Sequence, residues 1–451
     1  MIARRLASNA FANLVTGVSA TVFQIGLTAI ATRSFGSKGF PIWALAMSLA
    51  ALVPLFSANL STVVTRRLLE RSSTDEIVVV QAARRYAKHL SCAAIVVILA
   101  ISTMLHGWSV PLRNVGLPTF VSLVALLVAG QMWQIMLQPG FGRYFARERN
   151  WNVALTTIFA RVGALAGMGF LCWMISGRPE LAAASLTLGA CVGLYLVHRI
   201  LNSNESLEEA PPEAMRAECT AMKPFLKAFI VWSISAAAIQ YGLPAIMSIL
   251  SPNDFSAFYL AYTLNLVVVG TVAAAASALL APLGRKQLAG HWDSLERWMM
   301  FAPLATGLLL LVFLTIVWYA LPVLLRVWSA GVSPPDQVRH ALFWLALQTI
   351  ARSMTMVYSV LLSSAGRPIQ LSRPVILELG LSCSVALFAG FAFGETAFLA
   401  ALAVTGLVTA IYTVWITVNL EVCASIARIR LVGIFLLSQI LTLGSWILVT
   451  R

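Results

Sequence analysis

Three ionisable residues stand where a lipid bilayer tolerates them least. Arg352 is central in the apolar run LALQTIARSMTMVYSVLL, residues 345–362, and Arg161 lies within TTIFARVGALAG. Glu378, a few residues into a third apolar run, is the one carboxylate placed inside such a run. A charge at the bilayer centre costs from about 2.5 to more than 10 kcal/mol, and such residues usually mark function. The span that holds Arg352 runs from about residue 341 to 364, so this arginine is some 12 residues from either end, roughly 18 Å at the helical rise. A side chain reaching about 6–7 Å does not snorkel from there. A guanidinium stays charged and offers paired donors to phosphate oxygens. Two arginines lining a wet chamber would therefore bind a pyrophosphate. The plainer reading is a structural ion pair in which Glu378 neutralises Arg352 or Arg161. Glu378 is also the candidate for carrying a coupling proton.

Softer signals accompany these. Gln131, Trp133 and Gln134, then Gln240 and Tyr241, then Tyr262 and Asn265 fall within apolar runs. They suit hydrogen bonds to sugar hydroxyls, or equally bonds between helices. Arg33 closes the first run on its outer side, as a lipid-phosphate anchor or a substrate contact. Arg66, Arg67, Arg143 and Arg147 follow the second and fourth runs on the inner side. There they draw phosphate from the cytoplasmic leaflet or set topology. Pro244, with Gly242 nearby, predicts a gating bend or a static kink.

The elements that must hold these residues follow from composition. Of 451 residues, 59% are hydrophobic and 11% charged. Repeated apolar runs of about 20 residues mark transmembrane helices. The expected fold is an all-α polytopic membrane protein of about 12 helices in two six-helix lobes around a central cavity. Spans are expected near 10–32, 41–64, 89–107, 117–139, 152–176 and 180–199, then near 225–250, 256–281, 299–322, 340–364, 374–394 and 396–420. The run 431–450 is a thirteenth crossing or a surface helix.

With the N-terminus inside, roughly 22 of the 31 lysines and arginines face the cytoplasm. The net charge of +14 thus reads as anchoring to anionic lipid and requires no nucleic acid. Cys92, Cys172, Cys191, Cys219, Cys383 and Cys423 are scattered without CxxC spacing, which predicts neither a disulfide framework nor a metal site. The first hydrophobic run is long enough to span and lacks a small-residue cleavage site, so it is expected to be retained. No cofactor is implied.

Segment 200–224 holds five glutamates and three prolines and reads as a cytoplasmic linker. It divides the chain into a lobe at 1–203, a linker at 204–224, a lobe at 225–428 and an extra helix at 429–451. The halves resemble each other: FPIWALAMSL from Phe40 pairs with FSAFYLAYTL from Phe255, and GFGR (140–143) with SAGR (364–367). An offset of six spans predicts parallel repeats, an arrangement in which transporters place their path between the lobes.

TRSFGSKGFPIWALAMSL (32–49) followed by LSTVVTRRL (60–68) resembles the first two helices of Wzx-type polysaccharide flippases of the multidrug/oligosaccharidyl-lipid/polysaccharide (MOP) exporter superfamily. Arg33, Gly36, Gly39, Trp43, Arg66 and Arg67 match that pattern. LQPGFGRYFARERNWNV and VLLSSAGRPIQL resemble its loops after helices 4 and 10. Pro41 stands where the family often has glycine, and Gln240 and Tyr241 stand where many relatives carry an acid. The resemblance implies a monomeric bacterial inner-membrane flippase, not an enzyme. Its substrate would be an undecaprenyl-pyrophosphate-linked oligosaccharide for O-antigen, capsule or exopolysaccharide assembly, coupled to a proton or sodium ion. The alternatives are a small-molecule antiporter of the same superfamily and a membrane polymerase or glycosyltransferase. Short external loops and the lack of a paired-acid motif argue against the enzyme.

Overall fold

The computed structural model describes residues 2–57, 59–70, 76–174, 178–201, 210–277, 292–329, 331–353, 355, 358, 368–419 and 425–450. Among these there is no strand. Among the described residues, ten helices are long and apolar enough to cross a membrane, as an all-α membrane fold requires. Contacts divide the chain into two compact units, Met1–Ser256 and Ala257–Arg451.

The first unit opens with α1 (Ile2–Ala50), which absorbs the first expected span and the start of the second. Gly36 breaks it at φ 60°, ψ −167°, a region open essentially to glycine alone. The second expected span does not continue to residue 64 as one helix. A 3₁₀ turn at Val53–Ser57 interrupts it before α2 (Leu60–Glu70). After α3 (Glu76–Trp108), the expected span 117–139 is likewise split, into α4 (Leu117–Gln131), α5 (Trp133–Met136) and α6 (Gln138–Ala146). Pro139 at the start of α6 has no N–H to extend a preceding helix. Then come α7 (Asn150–Met174), α8 (Pro179–Leu201) and α9 (Pro212–Leu250).

α9 begins inside the segment 204–224 read as a linker. Its Pro212 supplies the fixed φ favoured at a helix start, and the chain is helical from there on. Residues 204–209 of that segment lie outside the described residues. Packing inside this unit is close wherever glycines meet. A β-carbon at Gly163, Gly167, Gly189 or Gly193 would strike backbone of the facing helix in the α7–α8 seam. Small residues that let backbones approach are the usual glue of membrane helices.

The second unit begins in α10 (Phe255–Ser277) and continues with α11 (Trp292–Trp328) and α12 (Pro335–Ser353). α13 (Pro368–Leu381) runs through a π-helical turn, Ser382–Ala386, into α14 (Leu387–Phe393). α15 (Glu395–Val418) and α16 (Ser425–Thr450) complete it. Of the expected tenth span, α12 covers residues up to Ser353; beyond it Thr355 N donates to Arg352 O at 3.1 Å, and most of 354–364 lies outside the described residues. The ends of the expected spans at 281, 364 and 420, the SAGR stretch and Cys423 lie outside the described residues.

The run at 431–450 is settled as part of α16, which packs on α11 and α12. Trp446 and Phe435 are fully buried with Leu310, Leu314, Ile350 and Tyr358, and Trp446 Nε1 donates to Phe343 O at 3.4 Å. The two repeat motifs bury the same positions: Phe40 and Phe255, Trp43 and Phe258, Leu45 and Leu260, Ser48 and Thr263. Ser48 Oγ donates to Ala44 O at 2.8 Å, and Thr263 Oγ1 at the matching place donates to Tyr259 O at 2.9 Å.

Candidate functional site

The two mid-span arginines meet different fates. On α7, Gly163 and Gly167 face α8. Arg161, two residues earlier and so about 200° around the helix, points away from that seam. Leu165, one turn on from Arg161, packs against Gly26 of α1. Arg161 follows the same face: its Nη1 donates to Thr16 O at 2.8 Å and to Ser19 Oγ at 2.7 Å, both on α1. Among the described residues it has no carboxylate partner. A full positive charge therefore stands within this unit, tied by one nitrogen to neutral groups.

Arg352 is paired. Its Nε lies 3.3 Å from Glu378 Oε1, with 27% of the Arg352 side chain exposed and 4% of that of Glu378. The pairing left open by sequence is thus Arg352 with Glu378, and Arg161 has no share in it. Both partners are positioned by their helices. α12 packs on α15 across Gly406, where a β-carbon would lie 3.1 Å from Gln348 Cγ and 3.8 Å from Arg352 Cγ. The next face of α12 carries Thr349, whose Oγ1 donates to Asn265 Oδ1 of α10 at 2.7 Å. On its α16 side, the carbonyl of Ala351 accepts from Gln439 Nε2 at 3.3 Å.

Around this pair, polar atoms are buried without protein partners among the described residues. They are Gln348 Nε2, Ser353 Oγ, Glu378 Oε1 and Gln439 Oε1. The Arg352 contact to Glu378 Oε1 has ion-pair distance but not hydrogen-bond alignment. Each such group carries a desolvation cost and calls for an explanation.

The remaining candidates divide by unit. Arg33 is exposed, and Gln240 and Tyr241 are half-buried on α9. Gln131 is buried and bonded to Gln134. In the second unit, Tyr262 is buried, with its ring stacked on Phe258 at 6.1 Å. Asn265, engaged by Thr349 one helical turn before Ser353, joins the Arg352 neighbourhood. The arginines expected to gather phosphate on the cytoplasmic side are all engaged. Arg143 and Arg147 both bind Glu76 of α3, and Arg66 meets Glu70 at 2.8 Å. Arg67 holds Glu218 of α9 with two nitrogens, at 2.7 and 3.1 Å.

Glu218, Glu76 and Gln348 were not legible as site residues. Glu218 sits in a stretch whose glutamates and prolines resemble a linker, although Pro211–Pro212 announces a helix start. Gln348 looks like any polar residue in a span, and only its place one turn before Arg352 hints at a shared face.

No protein-family model matches the chain, and no curated protein sequence does. Solved structures do. A MATE in complex with MaL6 superposes with TM-score 0.70 at 12% identity, over 95% of this chain and 96% of its own. An outward-facing multidrug resistance MATE family transporter of the MOP superfamily gives 0.67 at 12% identity, over the same shares. A MOP superfamily transporter from Pyrococcus furiosus, described as having a binding pocket of reverse polarity, gives 0.65 at 12% identity and again 95% and 96%. Identity at this level carries the fold. The chain is a multi-pass membrane protein with the helical fold of the MATE transporters of the MOP superfamily.

Proposed function

We propose that this protein is a transporter that moves undecaprenyl-pyrophosphate-linked oligosaccharide from the cytoplasmic to the periplasmic leaflet of a bacterial inner membrane. It works by alternating access and feeds O-antigen, capsule or exopolysaccharide assembly. The single observation that carries this reading is Arg161, a guanidinium within a membrane helix that no carboxylate among the described residues neutralises. Such a charge is tolerated where an anion shares the site for part of a cycle, and a pyrophosphate head group provides one. The fold supports transport, and the reverse-polarity relative indicates that this architecture accommodates pockets of differing charge. Coupling to a proton through Glu378 belongs to the same proposal, as do the two-lobe division, the N-terminus inside and the monomeric state.

The test is reconstitution of the full chain in proteoliposomes with a fluorescent polyprenyl-pyrophosphate saccharide. Arg161→Gln is expected to lower the flipping rate at least tenfold, the ratio carried by one charged hydrogen bond to phosphate. Arg161→Lys, which keeps the charge but not the fork, should recover part of the rate. An unchanged rate in Arg161→Gln would remove the proposal.

The second reading is antiport of small molecules. Two observations favour it: the similarity to a multidrug resistance MATE, and the neutralisation of Arg352 by Glu378, which removes one of the two charges expected to repel cationic cargo. Uptake of a cationic dye into inverted vesicles, driven by a proton or sodium gradient, distinguishes it.

A further inference from the structure

We propose that the Arg352 neighbourhood, within the second unit, is a saccharide subsite. This rests on the transport reading above.

The cluster's charges and unpaired atoms carry the inference. The pair Arg352–Glu378 has no net charge. An anion placed there meets the carboxylate of Glu378, and a cation meets the guanidinium of Arg352. A hydroxyl meets no such conflict, because it donates and accepts at once.

The unpaired atoms ask for that combination. Gln348 Nε2 is a donor without an acceptor, and Glu378 Oε1 is an acceptor without an aligned donor. Both residues are at least nine-tenths buried, Gln348 at 4% exposure and Glu378 at 3%. Gln348 and Arg352 are one turn apart on a single face of α12, with their stems over Gly406. Arg352 uses Nε toward Glu378, and 27% of its side chain is accessible. Ser353 Oγ and Gln439 Oε1 extend the set of unpaired atoms along α12 and α16.

In this conformation neither Gln348 Nε2 nor Glu378 Oε1 touches solvent. The subsite is therefore closed here, and a sugar ring enters only once these side chains move. Adjacent hydroxyls then bridge the amide of Gln348 and the carboxylate of Glu378.

The experiment measures binding to the full chain in nanodiscs with three probes: polyprenyl pyrophosphate, polyprenyl-pyrophosphate-N-acetylglucosamine, and free N-acetylglucosamine. The wild type should prefer the glycosylated lipid over the bare one by about tenfold, the ratio one buried hydrogen bond to a charged group provides. Gln348→Met, close in shape and without donors, should bring that ratio near one. Arg161→Gln should weaken both lipids together. Melting without ligand adds an independent readout: Gln348→Met removes an unpaired buried donor and should not lower Tm.

A wild-type ratio of one overturns the subsite, as does a ratio that survives Gln348→Met. A lower Tm in Gln348→Met also overturns it, because the amide is then satisfied by a resident water. Free N-acetylglucosamine binding as tightly as its lipid-linked form supports a hydroxyl site but overturns the lipid-linked substrate. Binding of neither lipid overturns the transport reading itself.

Discussion

Arg161 and Arg352 look alike in sequence, each a lone guanidinium in an apolar run, and only three-dimensional placement separates them. The glycine face of α7 turns Arg161 toward α1, where it finds a carbonyl and a hydroxyl. α13 delivers Glu378 to Arg352. Linear spacing gave no means of telling which arginine the single span carboxylate would serve, since residues 352 and 378 are on different helices. Breaking the pair has a predictable cost. Removing one partner of a buried pair costs about 3–5 kcal/mol, but the partial exposure of Arg352 lets solvent screen the survivor, so about 2 kcal/mol is expected for Glu378→Gln. The double variant Arg352→Met with Glu378→Leu should melt above either single one, because it leaves no uncompensated charge. Thermal unfolding of the four proteins in detergent closes that cycle, and strict additivity would show that the pair does not couple.

Whole helices were easier to read than their interruptions. Apolar length located nearly every span, since each needs about 20 residues to cross. It could not locate the splits at Met132 and Leu137, the 3₁₀ turn at Val53–Ser57 or the π turn after α13, because a break one turn long leaves the apolar run intact. The motif GFGR shows what motif reading misses. It marks the end of a span by sequence, yet its two glycines do different work within α6. A β-carbon on Gly142 would sit 2.6 Å from Ser61 O and 2.6 Å from Val64 Cβ of α2, whereas one on Gly140 meets nothing within 4 Å. Thr65 Oγ1 also donates to Gly142 O at 3.0 Å, so α2 and α6 touch at this point. Gly142→Ala should therefore destabilise by about 1–3 kcal/mol through overpacking. Gly140→Ala should be neutral or stabilising by up to about 1 kcal/mol through helix propensity. Melting curves of the two variants check this, and equal Tm values would mean the α2–α6 contact is dispensable.

For the molecule as a whole, composition announced the membrane and the all-helical class, because 59% hydrophobic residues leave few other folds. The alternation of basic loops gives an expected orientation, with the N-terminus inside, but not the fate of the final run. That run forms α16, with Trp446 and Phe435 in the interior of the second unit. Twelve expected spans return the chain to the side of its N-terminus, so α16 as a thirteenth crossing carries residue 450 to the opposite side. A reporter fused after residue 451 should then behave as periplasmic, with alkaline phosphatase active and green fluorescent protein dark. A reporter fused after residue 418, before α16, should behave the opposite way. Matching signals at both points would make α16 a surface helix. Deleting α16 should also lower solubilised yield, since it exposes Tyr358 and Ile350 of the same core.

The seam between α7 and α8 has a mechanical consequence. Its contacts are main chain on main chain, at Gly163 against Gly189 and at Phe159 against Gly193, so no side-chain rotation can slacken it. Two rods welded in this way tilt as one lever. In the proposed transport cycle, cargo that tugs on Arg161 would shift α8 in the same stroke, giving the first unit a rigid arm nearly twice as broad as the helix that bears the charge.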